Sequence, residues 1–215
     1  MKKVTYTISL FLLAIGMNSF AQTGADKFQQ AVTKGLELLK TAQSSEDLIK
    51  TANYFERVEQ VETKQWLPPY YAAYSNLVAG ITSTDNNLKD QYWDKALTQV
   101  DQATALSKDN SEIYALKGYI QYMKLSIDPR SRLAFMSASA ASLATAKSLN
   151  PENPRIYLIM GQNTFYTPEA FGGGKEKAKP ILEMAVTKFA IFKPTSVVEP
   201  SWGLDRTKEL LAQCN

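Results

Sequence analysis

The sequence predicts an all-α fold built as an array of helical hairpins, and three observations predict it. Apolar residues recur at helical spacing along nearly the whole chain. No segment sustains the period-two alternation of a half-buried strand. The same marks also return on alternate helices at a fixed interval of 43 residues, with Tyr71, Tyr114 and Tyr157 the clearest of them.

The chain opens on a segment that reads as an address rather than as structure. Lys2 and Lys3 precede an apolar run from Ile8 to about Met17, and Ser19-Phe20-Ala21 places small residues before a cleavage point. This is the layout of a secretory signal peptide. Residues 1–21 are therefore expected to be removed, leaving 22–215 as a single helical repeat domain that begins at Gln22. The apolar run is shorter than the ~20 residues of a spanning helix, and no later segment is long and apolar enough to span. No cysteine follows the run to take a lipid. The expected location is the periplasm or the cell exterior, with no integral membrane segment after cleavage.

About nine helices follow. Phe28, Val32, Leu36 and Leu39 share one face of a first, about 25–42, and Leu48, Ala52, Phe55 and Val58 one face of a second, about 46–62. Ser44-x-x-Asp47 reads as the second helix's N-terminal cap. Pro68-Pro69 opens a third, about 68–82, with Tyr71, Tyr74 and Leu77 inward. A fourth, about 86–107, buries Trp93, Ala96, Val100 and Ala103. Asp109-x-x-Glu112 is expected to cap a fifth, about 110–126. Asp128-Pro129 breaks the chain before a sixth, about 130–149, whose Ala- and Ser-rich stretch is expected to permit close helix packing. Asn153-Pro154 pairs an N-cap with proline at the first helical position of a seventh, about 154–166. An eighth runs about 173–192, and a Pro-bounded stretch, Pro194 to Pro200, precedes a short last helix to about 213.

Composition narrows the function. Without Lys2 and Lys3, 22 basic side chains face 21 acidic ones, so no nucleic-acid partner is implied. The chain has no histidine, which removes Ser-His-Asp and Cys-His machinery and His-zinc ligation. No carboxylate motif suggests a metal, no cofactor is implied, and no catalytic constellation is recognisable, so the protein is not expected to be an enzyme. Cys214 is the only cysteine, so no disulfide framework stabilises an exported chain and the apolar core must.

The repeat marks go beyond the tyrosines. Ser75, Gly118 and Gly161 each come four residues after one of them, and Ala103 and Ala146 are also 43 apart. Trp93-x-x-Ala96 with Val100 and Ala103 supplies aromatic, small and large apolar residues on the second helix of a pair. This pattern resembles the tetratricopeptide repeat, well over roughly 66–190 and weakly over 25–62. The resemblance implies a right-handed α-solenoid. The interval here exceeds that family's ~34 residues, and Lys108 stands where the family usually has proline.

The resemblance also implies a site. It sends Asn76 and Ala79, then Glu112, Ala115, Tyr119, Tyr122 and Met123, then Arg155, Leu158, Gln162, Phe165 and Tyr166 to one concave groove. A groove of that composition suits a peptide, so the main expectation is an exported scaffold that binds a protein or peptide partner of the cell envelope. The alternative is a carrier or sensor of a small apolar ligand held between helices. Phe171-Gly172-Gly173-Gly174-Lys175 is the one glycine-rich loop; with Lys175 and Lys177 it is a possible anion site, although it lacks phosphate-loop spacing. Trp202 is expected to seal the last hairpin. Partner identity and oligomeric state are not encoded in any motif.

Overall fold

The computed structural model of the protein describes residues 24–214. The expected signal segment and the start at Gln22 lie outside the described residues. Among the described residues there are nine α-helices and no strand. They are α1 (24–41), α2 (Ser45–Val61), α3 (Leu67–Thr82), α4 (Asn86–Leu106), α5 (Ser111–Ile127), α6 (Ala134–Leu149), α7 (Pro154–Tyr166), α8 (Lys175–Ile191) and α9 (Leu204–Ala212).

Local chemistry sets the helix starts. The side chain of Ser44 accepts from the Asp47 amide at 3.1 Å, and that of Asp85 accepts from the Asn87 amide at 2.7 Å. Asn153 accepts from the Arg155 amide at 3.0 Å with Pro154 next in line, as the sequence led one to expect. The cap of α5 is Asn110, not Asp109: its side chain accepts from the Glu112 amide at 3.0 Å. α6 starts four residues later than expected. Asp128 instead folds the intervening residues into a turn, accepting from the Arg130 and Ser131 amides.

The helices pack as consecutive hairpins around a continuous core that includes Val32, Phe55, Tyr71, Leu77, Trp93, Val100, Ile113, Ile120 and Ile159. Small residues mark where hairpin partners come closest. A methyl group at Gly161 would stand 2.7 Å from Leu182 Cδ2, and one at Gly118 would stand 2.8 Å from Leu143 Cγ. The 43-residue interval reappears in space. Gln99 donates to Glu56, Arg155 to Glu112 and Tyr119 to Gln162, each pair 43 residues apart.

The joint between α4 and α5 is cross-linked by charge. Lys124, with its side chain only 5% exposed, pairs with Asp90 at 2.5 Å and Asp94 at 2.6 Å. Arg132 grips Asp90 with both terminal nitrogens. The Arg132 hydrogen bonds and the Lys124 ammonium hold the Asp90 carboxyl down at about 2. Further along the joint, Lys117 pairs with Asp101 at 2.6 Å.

After α8 the chain turns back across the inner face formed by α3, α5 and α7. Tyr71 donates to the Val198 carbonyl at 2.7 Å, and Arg155 donates to the Pro200 carbonyl. Trp202 stacks on Tyr74 with ring centroids 4.7 Å apart and donates to the Tyr70 hydroxyl at 2.9 Å. Trp202 therefore does not merely seal the last hairpin. It ties the end of the chain to the helix that begins at Leu67.

Candidate functional site

The inner face is filled by the protein itself. Arg155 is fully buried, bonded to Glu112 at 2.9 Å, with its guanidinium over the rings of Phe192 and Trp202 at 4.9 and 5.2 Å. Burial pushes the Glu112 carboxyl up to about 7, with the Arg155 charge pulling the other way. Asn76 is buried and donates to Gln99 Oε1 at 2.8 Å. Tyr119 and Gln162 meet at 3.3 Å, and Arg206 of α9 donates to both Gln162 and Tyr166. Met123 is partly buried against the core. Phe165 packs edge-on to Tyr166, in the cluster under α8, with Lys175 5.7 Å above its ring.

Of the residues expected to share one peptide groove, the structure brings together Tyr119 with Gln162 and Glu112 with Arg155. It turns Tyr122 the other way, its hydroxyl donating to the Asn163 carbonyl at 2.9 Å. The chain's own Pro200–Trp202 segment lies where a peptide would lie.

In the glycine loop, Gly172 and Gly174 adopt φ of 86° and 103°, a left-handed backbone that suits glycine. The amides of Gly172, Gly173 and Gly174 donate to the carbonyls of Glu169, Pro168 and Thr164. The loop therefore spends its glycine amides on its own turn. Lys175 and Lys177 are exposed on the first turn of α8.

An open feature lies between α6 and α7. A groove of about 460 Å³ runs between them, with Phe171–Gly173 in its lining beyond the end of α7. α6 contributes Met136, Ser139, Ala140, Leu143, Ala144 and Lys147. α7 and the residue after it contribute Met160, Asn163, Thr164 and Thr167, and Tyr122 of α5 forms part of the floor. Phe171 is 80% exposed. The only titratable side chains in this lining are Tyr122 and Lys147. Burial raises the Tyr122 phenol, so it stays neutral.

The repeat explains why the groove exists. Moving 43 residues along from the α4–α5 joint, Asp101 becomes Ala144 and Lys117 becomes Met160. Lys124 becomes Thr167, Asp90 becomes Leu133 and Asp94 becomes Ser137. Every ion pair that closes the earlier joint is lost from the later one. Leu97, packed on the core in α4, becomes Ala140, which is exposed. The Ser face of α6 still packs closely, Ser139 donating to the Gly118 carbonyl at 2.7 Å and Ser142 to Gln121 at 2.8 Å. The Ala face is left uncovered. Apart from Tyr122, and Phe171–Gly173 of the loop read as a possible anion site, these groove residues were absent from the sequence-based sites; comparing the repeats position by position would have found them.

Among the described residues, no helix is long and apolar enough to cross a membrane, and no cluster of three or more acidic, Cys or His side chains could hold a metal ion. No protein-family model matches the chain, and no curated protein matches it. Among solved structures, the chain is similar to the HusA haemophore from Porphyromonas gingivalis, at 30% sequence identity and a TM-score of 0.75. The match covers 88% of this chain and 92% of that one.

Proposed function

We propose, for a chain that belongs to the family of the HusA haemophore, a non-catalytic carrier function in which haem or a flat apolar molecule of similar size is held in the groove between α6 and α7. The observation that carries this reading is the loss of the joint's ion pairs at the one interface where α6 and α7 part. It leaves an apolar slot in a chain whose relative is named as a haem carrier. A volume of about 460 Å³ falls within the ~300–1,000 Å³ usual for small-molecule sites. The wall from Met136 to Lys147 spans eleven residues of helix, roughly 16 Å at ~1.5 Å per residue, a length suited to a tetrapyrrole.

The chain has no histidine to ligate iron, and the Tyr122 hydroxyl is committed to a carbonyl. Burial of apolar surface against Met136, Leu143, Met160 and Phe171 is then the main source of affinity. A lining whose only titratable groups are one neutral phenol and one lysine supports transport over catalysis. The tetratricopeptide-like scaffold for a peptide partner has less support, because the inner face is occupied by Pro200–Trp202. A carrier of this kind, with a cleaved signal segment, belongs outside the cytoplasm.

The test is a haemin titration of the protein followed by difference absorbance. The expected result is saturable binding near one haemin per chain with a Kd of about 1 μM or below. Binding that rises without saturation, as for non-specific adsorption, would sink the proposal.

A further inference from the structure

We infer that the groove has a built-in polarity: Lys147 receives a carboxylate of the cargo at one end, and the cargo's apolar edge lies at the other. This rests on the carrier reading and specifies which way round an amphipathic acid lies in the slot.

The apolar end is formed by Met136, at the start of the α6 wall, and Phe171, whereas Lys147 lies at the far end of that wall. Lys147 has no carboxylate partner among the described residues. Its ammonium stands 5.7 Å from the Tyr157 ring centroid. Lys188 lies over the same ring at 5.0 Å, but it is already paired with Glu152 at 2.9 Å. The cation left to meet an anion at this rim is therefore Lys147.

The wall between the ends presents acceptors. Tyr122 and Thr167 both donate to the Asn163 carbonyl, Thr164 donates to the Met160 carbonyl, and Ser139 donates to the Gly118 carbonyl. Their protons are thus used within the protein. Asn163 donates its amide to Ser139 Oγ at 3.3 Å. The wall therefore offers the cargo no charge, and an ionised carboxylate of the cargo can be neutralised in this lining only at Lys147.

Haemin and haemin dimethyl ester are the probes, titrated into wild type and Lys147→Met. Lys147 is exposed, so its replacement leaves the fold intact. Wild type should hold the free acid about three- to fivefold more tightly than the ester, the scale of one exposed ion pair. Lys147→Met should remove that difference by weakening only the acid, and added salt should do the same. If wild type does not saturate with haemin, the carrier reading falls and the polarity with it. If haemin binds but acid and ester do not differ, or Lys147→Met weakens both alike, the carrier reading stands and the polarity is overturned.

Discussion

Closing the slot from its own wall is the most direct way to test where the cargo lies. Ala140 and Ala144 are exposed on α6 and line the groove. Replacing both by leucine supplies the bulk that Leu97 provides in α4. Each change adds three carbons to an open wall, so nothing is overpacked. Alanine and leucine also differ little in helix propensity, so folding stability should stay within about 1 kcal/mol of wild type. Each new side chain covers groove surface that the cargo would otherwise bury. At ~0.8 kcal/mol per buried CH₂, with about half of the added carbons in contact, each leucine removes about 1–1.5 kcal/mol of binding. Ala140→Leu should then weaken haemin about tenfold and the double variant about a hundredfold. Difference absorbance reads the affinity, and urea denaturation verifies that the fold is unchanged. A folded double variant that binds haemin as tightly as wild type would refute this location and leave the groove without a role.

Three further outcomes test the frame around the slot. Trp202→Ala removes a ring stack and a hydrogen bond to Tyr70, and should cost about 1.5–2.5 kcal/mol by urea melt, with stacking worth ~0.5–1.5 and the hydrogen bond ~1; a loss below about 0.5 kcal/mol would mean that the tail is not a clamp. Gly161→Leu should destabilise by roughly 1–3 kcal/mol through overpacking against Leu182, and an unchanged midpoint would contradict that contact. Glu112 holds its proton in the folded chain up to about pH 7, against an ordinary value of 4.5, so its contribution to stability is full below about 4.5 and is lost as pH rises through 7. Wild-type stability should therefore slope downward from pH 5 to 7.5, and Glu112→Gln should flatten that slope; parallel slopes in the two proteins would assign the effect elsewhere.

Much of the helix plan was legible because its signals are local. Ser44, Asn153 and Pro154 mark helix starts through bonds that span two or three residues, and the apolar faces follow from spacing alone. Asn110 was missed beside Asp109 because both are good caps and one residue separates them. The start of α6 was misplaced because Asp128 folds residues 128–131 into a turn of their own, and Arg132 beyond it is held by Asp90, 42 residues away. The candidate site was harder to read. A concave groove inferred from Tyr119, Gln162, Glu112 and Arg155 takes no account of a tail that approaches from residues 198–203, and Trp202 meets Tyr70 across 132 positions of sequence. The α6–α7 slot is defined by what Ala140, Ala144 and Met160 lack relative to Leu97, Asp101 and Lys117. A motif search looks for residues present, and so it passes over a site made by removal.

The tail clamp also bears on how this chain reaches its fold. A helical array whose units touch only their neighbours can form from any point and grow outward, and its ends can fray independently. Here Val198 and Trp202 bond to Tyr71 and Tyr70, 127 and 132 positions away, so the end of the array is fastened back onto its second hairpin. Contacts of such long range are formed late and slow the search for the native state. A chain is made from its amino end, so the third helix must wait for residues 198–202, with Tyr70, Tyr71 and Tyr74 uncovered until they arrive. Once the knot of aromatic rings forms, the hairpins from α3 to the tail can no longer open separately. That part of the array should then melt as one unit rather than repeat by repeat.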